Sequence, residues 1–185
     1  FFSFSIQMGI NKRPKVRDYW RRDDANNNQW FHTMFPRDRF LMLYHSMMHV
    51  STVNSQNKDK IALFIAQAVS QFQKYYYPFQ KVAVDEVGVQ FKGRSKYIQY
   101  NPMKPNKWHL KSYALADSMN GYVWNLIPYF GKDTIYPSQE SKLVSENIVK
   151  SLVLNLGEGH HIYGGRFYTS VNLVSSMYDD GKIGR

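Results

Sequence analysis

The chain has 185 residues, with 24 Lys and Arg against 14 Asp and Glu, a net charge of +10 and 43% apolar content, which fits a folded domain and excludes a disordered tail. No apolar run approaches the roughly 18–20 residues that a membrane-spanning helix needs, and the lack of cysteine excludes disulfides, thiol catalysis and cysteine zinc sites within this stretch. An isoelectric point of about 9.7 favours a polyanionic partner, nucleic acid before an anionic membrane surface.

The chain begins at Phe1 rather than Met with no recognisable signal peptide, and it reads as a fragment. The first 35 residues are basic and aromatic, with Tyr19, Trp20, Trp30, Phe31 and Phe35 but little periodicity. Their basic cluster, Lys12, Arg13, Lys15, Arg17, Arg21 and Arg22, is tempered by Asp18, Asp23 and Asp24. Pro36 suits the first turn of a helix whose buried face is Phe40, Leu43, Tyr44, Met47 and Met48. A polar loop over Ser51 to Lys58 precedes a second helix carrying Ile61, Ile65, Ala68, Val69, Phe72 and Tyr76 on one stripe, closed by Pro78. From Val82 to Phe91 the alternation of apolar residues predicts a strand with Asp85-Glu86 at its middle. Trp108 to Ala116 and Gly121 to Tyr129 read as two more strands, joined by the turn-prone Asp117-Ser118-Met119-Asn120-Gly121. Pro137-Ser138 is expected to open a helix with Val144, Ile148, Val149, Leu152 and Val153 on one face, stopped by Gly157 and Gly159. His161-Ile162-Tyr163 is a short fourth strand, and Ser170 to Tyr178 a last helix.

The expected organisation is a basic, helical region over 1–78 and a mixed α/β sheet over 79–185. The order strand-strand-strand-helix-strand-helix makes an antiparallel meander followed by a crossover to a parallel strand. In the RNase-H-like version of that arrangement the fourth strand lies beside the first, so residues 163–166 face Asp85 and are the place to look for a second carboxylate.

Neighbouring strand residues point to opposite faces, so at most one of Asp85 and Glu86 faces any one site. A carboxylate in a hydrophobic strand is costly unless paired or bound to a cation. Two readings stay open: a ligand for Mg²⁺ or Mn²⁺, or a solvated edge in salt-bridge contact with a nearby lysine. Val87 to Ala116 holds Lys92, Arg94, Lys96, Lys104, Lys107 and Lys111 and no acid, interleaved with Phe91, Tyr97, Tyr100, Trp108 and Tyr113. Cations for phosphates beside aromatic faces for bases fit a nucleic-acid surface, against the alternative of a solvated basic face. His45 and His49 have zinc-ligand spacing but lack the glutamate of a metalloprotease motif and a third ligand, so packing is the better reading.

Several segments in order resemble the piggyBac family of DDE transposases: Met8 to Pro14 with Asp18-Tyr19-Trp20, Met34 to Phe40, Val84-Asp85-Glu86 followed by Phe91-Lys92-Gly93-Arg94, Tyr100 to Pro105, Lys107 to Lys111, Tyr129 to Lys132, and Phe167-Tyr168-Thr169-Ser170. The resemblance implies an incomplete RNase-H-like core, nuclear localisation, and cutting and rejoining of DNA at TTAA sites by three aspartates that hold Mg²⁺ or Mn²⁺. The first aspartate maps to Asp85. The second precedes the aromatic-Thr-Ser motif as Asp-Asn, where this chain has Gly165 and Arg166, and the third would lie beyond Arg185. The expectation is therefore a transposase-derived domain with no productively bound metal and no cleavage activity. DNA contact by the six basic residues persists in that reading, with neither a membrane nor a small-molecule substrate as partner. Two alternatives stand beside it: an active cut-and-paste transposase in full-length form, and a recruited chromatin or protein-interaction module.

Overall fold

The computed structural model describes residues 1–23, 27–47 and 59–181. The chain forms two compact units, Phe1–Ile61 and Ala62–Arg185. The first holds α1 (Phe2–Ile10), α2 (Gln29–Met34) and α3 (Arg37–Met47), with a 3-10 turn at Val16–Trp20. α3 starts directly after Pro36, whose carbonyl accepts the Phe40 N–H at 3.0 Å. Phe40 is buried as its spacing predicts, whereas Tyr44 remains exposed. Met48, His49 and the loop 51–58 lie outside the described residues. The described residues among the first 35 are more regular than their lack of periodicity suggests. Phe4, Tyr19, Phe31 and Phe40 form one buried aromatic cluster, and the Trp20 indole donates to the Phe35 carbonyl at 2.7 Å. Ring packing, rather than a long amphipathic stripe, supplies the burial for helices this short.

α4 (Asp59–Tyr75) leads into the second unit. Its last turn and the residues after it pack against the sheet: Phe72 and Tyr76 meet the Tyr122 ring, and the Trp124 indole donates to the Tyr76 carbonyl at 3.0 Å. The sheet contains β1 (Lys81–Gln90), β2 (Ile98–Tyr100), β3 (Trp108–Asp117), β4 (Val123–Pro128) and β5 (His161–Gly164). β1 pairs antiparallel with β3 and parallel with β5, while β2 and β4 occupy opposite ends of the other edge of β3. β5 therefore lies beside β1, as the strand order implied. The short β2 was not foreseen, because three residues are too few for alternation to register.

One face of the sheet is covered by α5 (Val144–Val153) and α6 (Val171–Asp179). Val82, Val84, Leu115, Ile148, Leu152 and Leu173 are buried there with Tyr113 and Tyr168, each aliphatic side chain contributing roughly 1.5–3 kcal/mol. α5 begins at Val144, later than Pro137-Ser138 suggested. The Ser138 and Ser141 amides donate instead to Ser151 Oγ and Asn147 Oδ1, both at 2.9 Å, so the preceding segment is satisfied without being helical. Ser170 caps α6 by accepting the Leu173 N–H at 3.0 Å.

Two buried carboxylates fasten this unit. Asp117 accepts from the Phe79 amide (2.7 Å), the Tyr76 hydroxyl (2.8 Å) and the Met119 amide (2.7 Å), tying the exit of α4 to the turn after β3. Burial pushes its carboxyl up, but these donors outweigh burial and hold it below the usual value. Gly121, at φ +74°, completes that turn by donating to the Asp117 carbonyl at 2.9 Å. Glu146 on α5 accepts from the hydroxyls of Ser141 and Ser170, which likewise hold its carboxyl low despite burial.

Candidate nucleic-acid interface

Strand alternation decides which of the singled-out residues meet. Along β1, Val82, Val84 and Glu86 point to the helix-covered face, and Asp85, Val87 and Val89 to the other. Asp85 is exposed, and its Oδ1 accepts the adjacent Glu86 amide at 2.7 Å. The parallel ladder ends at Val84↔Gly164, so Gly165 follows one step beyond, at the level of Asp85. Gly165 is exposed, at φ −67°, and a Cβ built on it meets no atom within 4 Å. Neither backbone strain nor packing requires glycine there. Arg166, the next residue, is exposed with no acid within salt-bridge distance among the described residues. No group of three or more His, Asp or Glu side chains able to hold a metal occurs among the described residues. Asp85 is thus one carboxylate facing a glycine, a donor set that does not fit a pair of hard divalent cations.

Glu86 has a different fate. It pairs with Lys111 at 2.5 Å and Lys104 at 3.7 Å. Lys111 lies 4.8 Å from the ring centre of Tyr113 and 5.3 Å from that of Tyr129, with its side chain only 18% exposed. Burial and the Glu86 charge contribute to pushing the Tyr113 hydroxyl up to about 12, with burial the larger cause and the neighbouring Tyr129 the next. Tyr168 shares this surrounding; burial, then Glu86, raises its hydroxyl, and that hydroxyl has no hydrogen-bond partner among the described residues. For Glu86, the salt-bridge reading of the acidic pair holds.

The six basic residues accordingly divide into two groups. Lys104 and Lys111 are neutralised by Glu86, and Lys96 pairs with Asp133 at 3.6 Å. Lys92 and Arg94, in the β1–β2 connection, and Lys107, at the foot of β3, are exposed, with no acid in reach among the described residues. The acids that quench half the cluster come from outside Val87–Ala116, which a count of charges within that window could not reveal. This end of the sheet, built from the outer halves of β1 and β3 with β2, is a three-stranded antiparallel ribbon. At Gly88 the buried His109 ring fills the space of a Cβ, at 2.9 Å. On the ribbon's other face Tyr100 and Trp108, directly opposite each other, pair with ring centres 4.7 Å apart.

A family model described as Transposase IS4 matches residues 1–183. The fold is similar to that of a solved structure titled as the piggyBac transposase synaptic complex with hairpin DNA, at 21% identity and a TM-score of 0.78. That similarity covers 98% of this chain and 39% of the solved one, so the chain spans about two-fifths of the length of the protein it matches. The mixed sheet with β5 beside β1 is the RNase-H-like arrangement of such transposases. The chain belongs to the Transposase IS4 family, with the fold of the piggyBac transposase.

Proposed function

We propose that the chain is a transposase-derived DNA-binding domain that does not cleave DNA, acting in the nucleus. The observation that carries this reading is the exposed, unstrained Gly165 at the level of Asp85, where a second metal-holding carboxylate would stand. Two-metal phosphoryl transfer needs carboxylates that bridge the cations and orient the attacking and leaving oxygens. A glycine offers none, and Arg166 adds positive charge beside it. DNA contact does not depend on those ligands. Lys92, Arg94 and Lys107 are exposed on one ribbon with no acid in reach among the described residues, and phosphate contacts require only such cations. The solved structure of similar fold is itself titled as a complex with hairpin DNA.

The test is incubation of the protein with transposon-end duplex in Mg²⁺ or Mn²⁺, followed by denaturing electrophoresis. Intact strands are expected. Nicking that disappears in Asp85→Asn would overturn the loss of catalysis and reinstate an active transposase.

A further inference from the structure

We propose that Tyr100 and Trp108 form a stacking platform for unpaired bases, next to the unneutralised cations of the ribbon; this rests on the DNA-binding reading above. The two rings are a cross-strand pair, and such pairs stabilise a hairpin. That role accounts for their mutual contact but not for their exposure: Tyr100 is 53% exposed and Trp108 58%. The rings are tilted by 46° rather than folded flat on one another, which leaves aromatic surface open to solvent. Met103, in the connection between β2 and β3, is exposed nearby in sequence.

Charge selects the occupant. Lys107 immediately precedes Trp108, and Lys92 and Arg94 follow Phe91, whose amide donates to the Trp108 carbonyl. An apolar protein partner would gain nothing from cations placed this way, whereas a nucleic-acid strand offers phosphates to the cations and base faces to the rings. Paired bases are already stacked within a duplex and cannot reach the platform, so its ligand is a single-stranded extension, a hairpin loop or a frayed end. Alternation also places Tyr100 and Trp108 on the same sheet face as Asp85. A strand crossing that face would meet the aromatic pair and the Asp85 position in one continuous path.

The experiment compares a blunt duplex with the same duplex carrying a single-stranded extension, by fluorescence anisotropy, using the whole chain. Wild type is expected to prefer the extended duplex. Trp108→Ala, and Tyr100→Ala with Trp108→Ala, are expected to reduce that preference about ten-fold while leaving blunt-duplex affinity unchanged. Trp108→Phe should keep most of it. Because both side chains are more than half exposed, the variants test contact rather than folding, and circular dichroism verifies this. Retained DNA binding with an unaltered preference, or equal weakening toward both DNAs, overturns the platform alone. Absence of salt-sensitive binding to either DNA overturns the DNA-binding reading with it.

Discussion

Glu86→Gln is expected to strengthen DNA binding and to steepen its salt dependence, although it removes two ion pairs. The carboxylate neutralises Lys104 at 3.7 Å and Lys111 at 2.5 Å. Lys104 is 33% exposed and in a connecting loop, so losing its acid frees it to meet a phosphate. Lys111 is 18% exposed and cradled by Tyr113 and Tyr129, so it stays in place. One added phosphate contact steepens the plot of log affinity against log salt by about 0.9. Removing the three unneutralised cations together (Lys92→Ala, Arg94→Ala and Lys107→Ala) should flatten it by about 2.7, roughly a 40-fold difference over a four-fold change in salt. Lys111→Ala should leave the slope where it was. Anisotropy titrations on one duplex between about 50 and 200 mM salt measure wild type, these three variants and Lys107→Ala alone. Differences in slope also separate the ribbon from the basic residues near the amino terminus. The reasoning fails if Glu86→Gln flattens the slope, or if Lys111→Ala flattens it as much as Lys107→Ala alone. A slope that responds to none of these changes would instead favour a protein partner for this face.

Three further predictions concern the fold. Gly165→Asp should alter stability by no more than about 0.5 kcal/mol, since no atom lies within 4 Å of a Cβ there; it should also raise Mn²⁺ affinity, read by paramagnetic resonance, and a loss of several kcal/mol in a denaturant melt would show that the space is occupied. Asp117→Ala strands the Phe79 and Met119 amides and should cost about 2–3 kcal/mol. Because Asp117 and Glu146 are held below their ordinary values of 3.8 and 4.5, their stabilisation is complete above those values and is lost as pH falls through the lower folded ones. Asp117→Asn and Glu146→Gln should therefore shrink the acid-side loss of stability, and acid melts identical to wild type would contradict the sign.

What could be read from the sequence followed the regularity of each segment. β1, β3 and α4 have enough residues for alternation or helical spacing to emerge, and the strand order alone places residues 163–166 beside Asp85. α1 and α2 were illegible because Phe4 and Phe31 are each nearly the whole buried face of their helix. The start of α5 is not legible in the sequence because Ser138 and Ser141 satisfy their amides through side chains that only the tertiary fold brings near. At the interface the residue types were legible and their state was not. Lys96, Lys104 and Lys111 look like Lys92 and Lys107 in the sequence, and only strand facing and the reach of Glu86 and Asp133 separate them.

The pairing of β1 with β5 has a consequence during synthesis. Lys81–Val84 must wait for His161–Gly164, 80 residues later in the chain. At about 5–20 residues per second, the β1 edge remains open for roughly 4–16 s after emerging from the ribosome. During that interval Val82 and Val84 sit on an unpaired strand edge that could recruit another nascent chain. Lys81 at its start and Asp85-Glu86 directly after it bracket the apolar stretch with charge. Charge at these positions blunts edge-to-edge pairing of the growing polypeptide, an effect that does not depend on any metal.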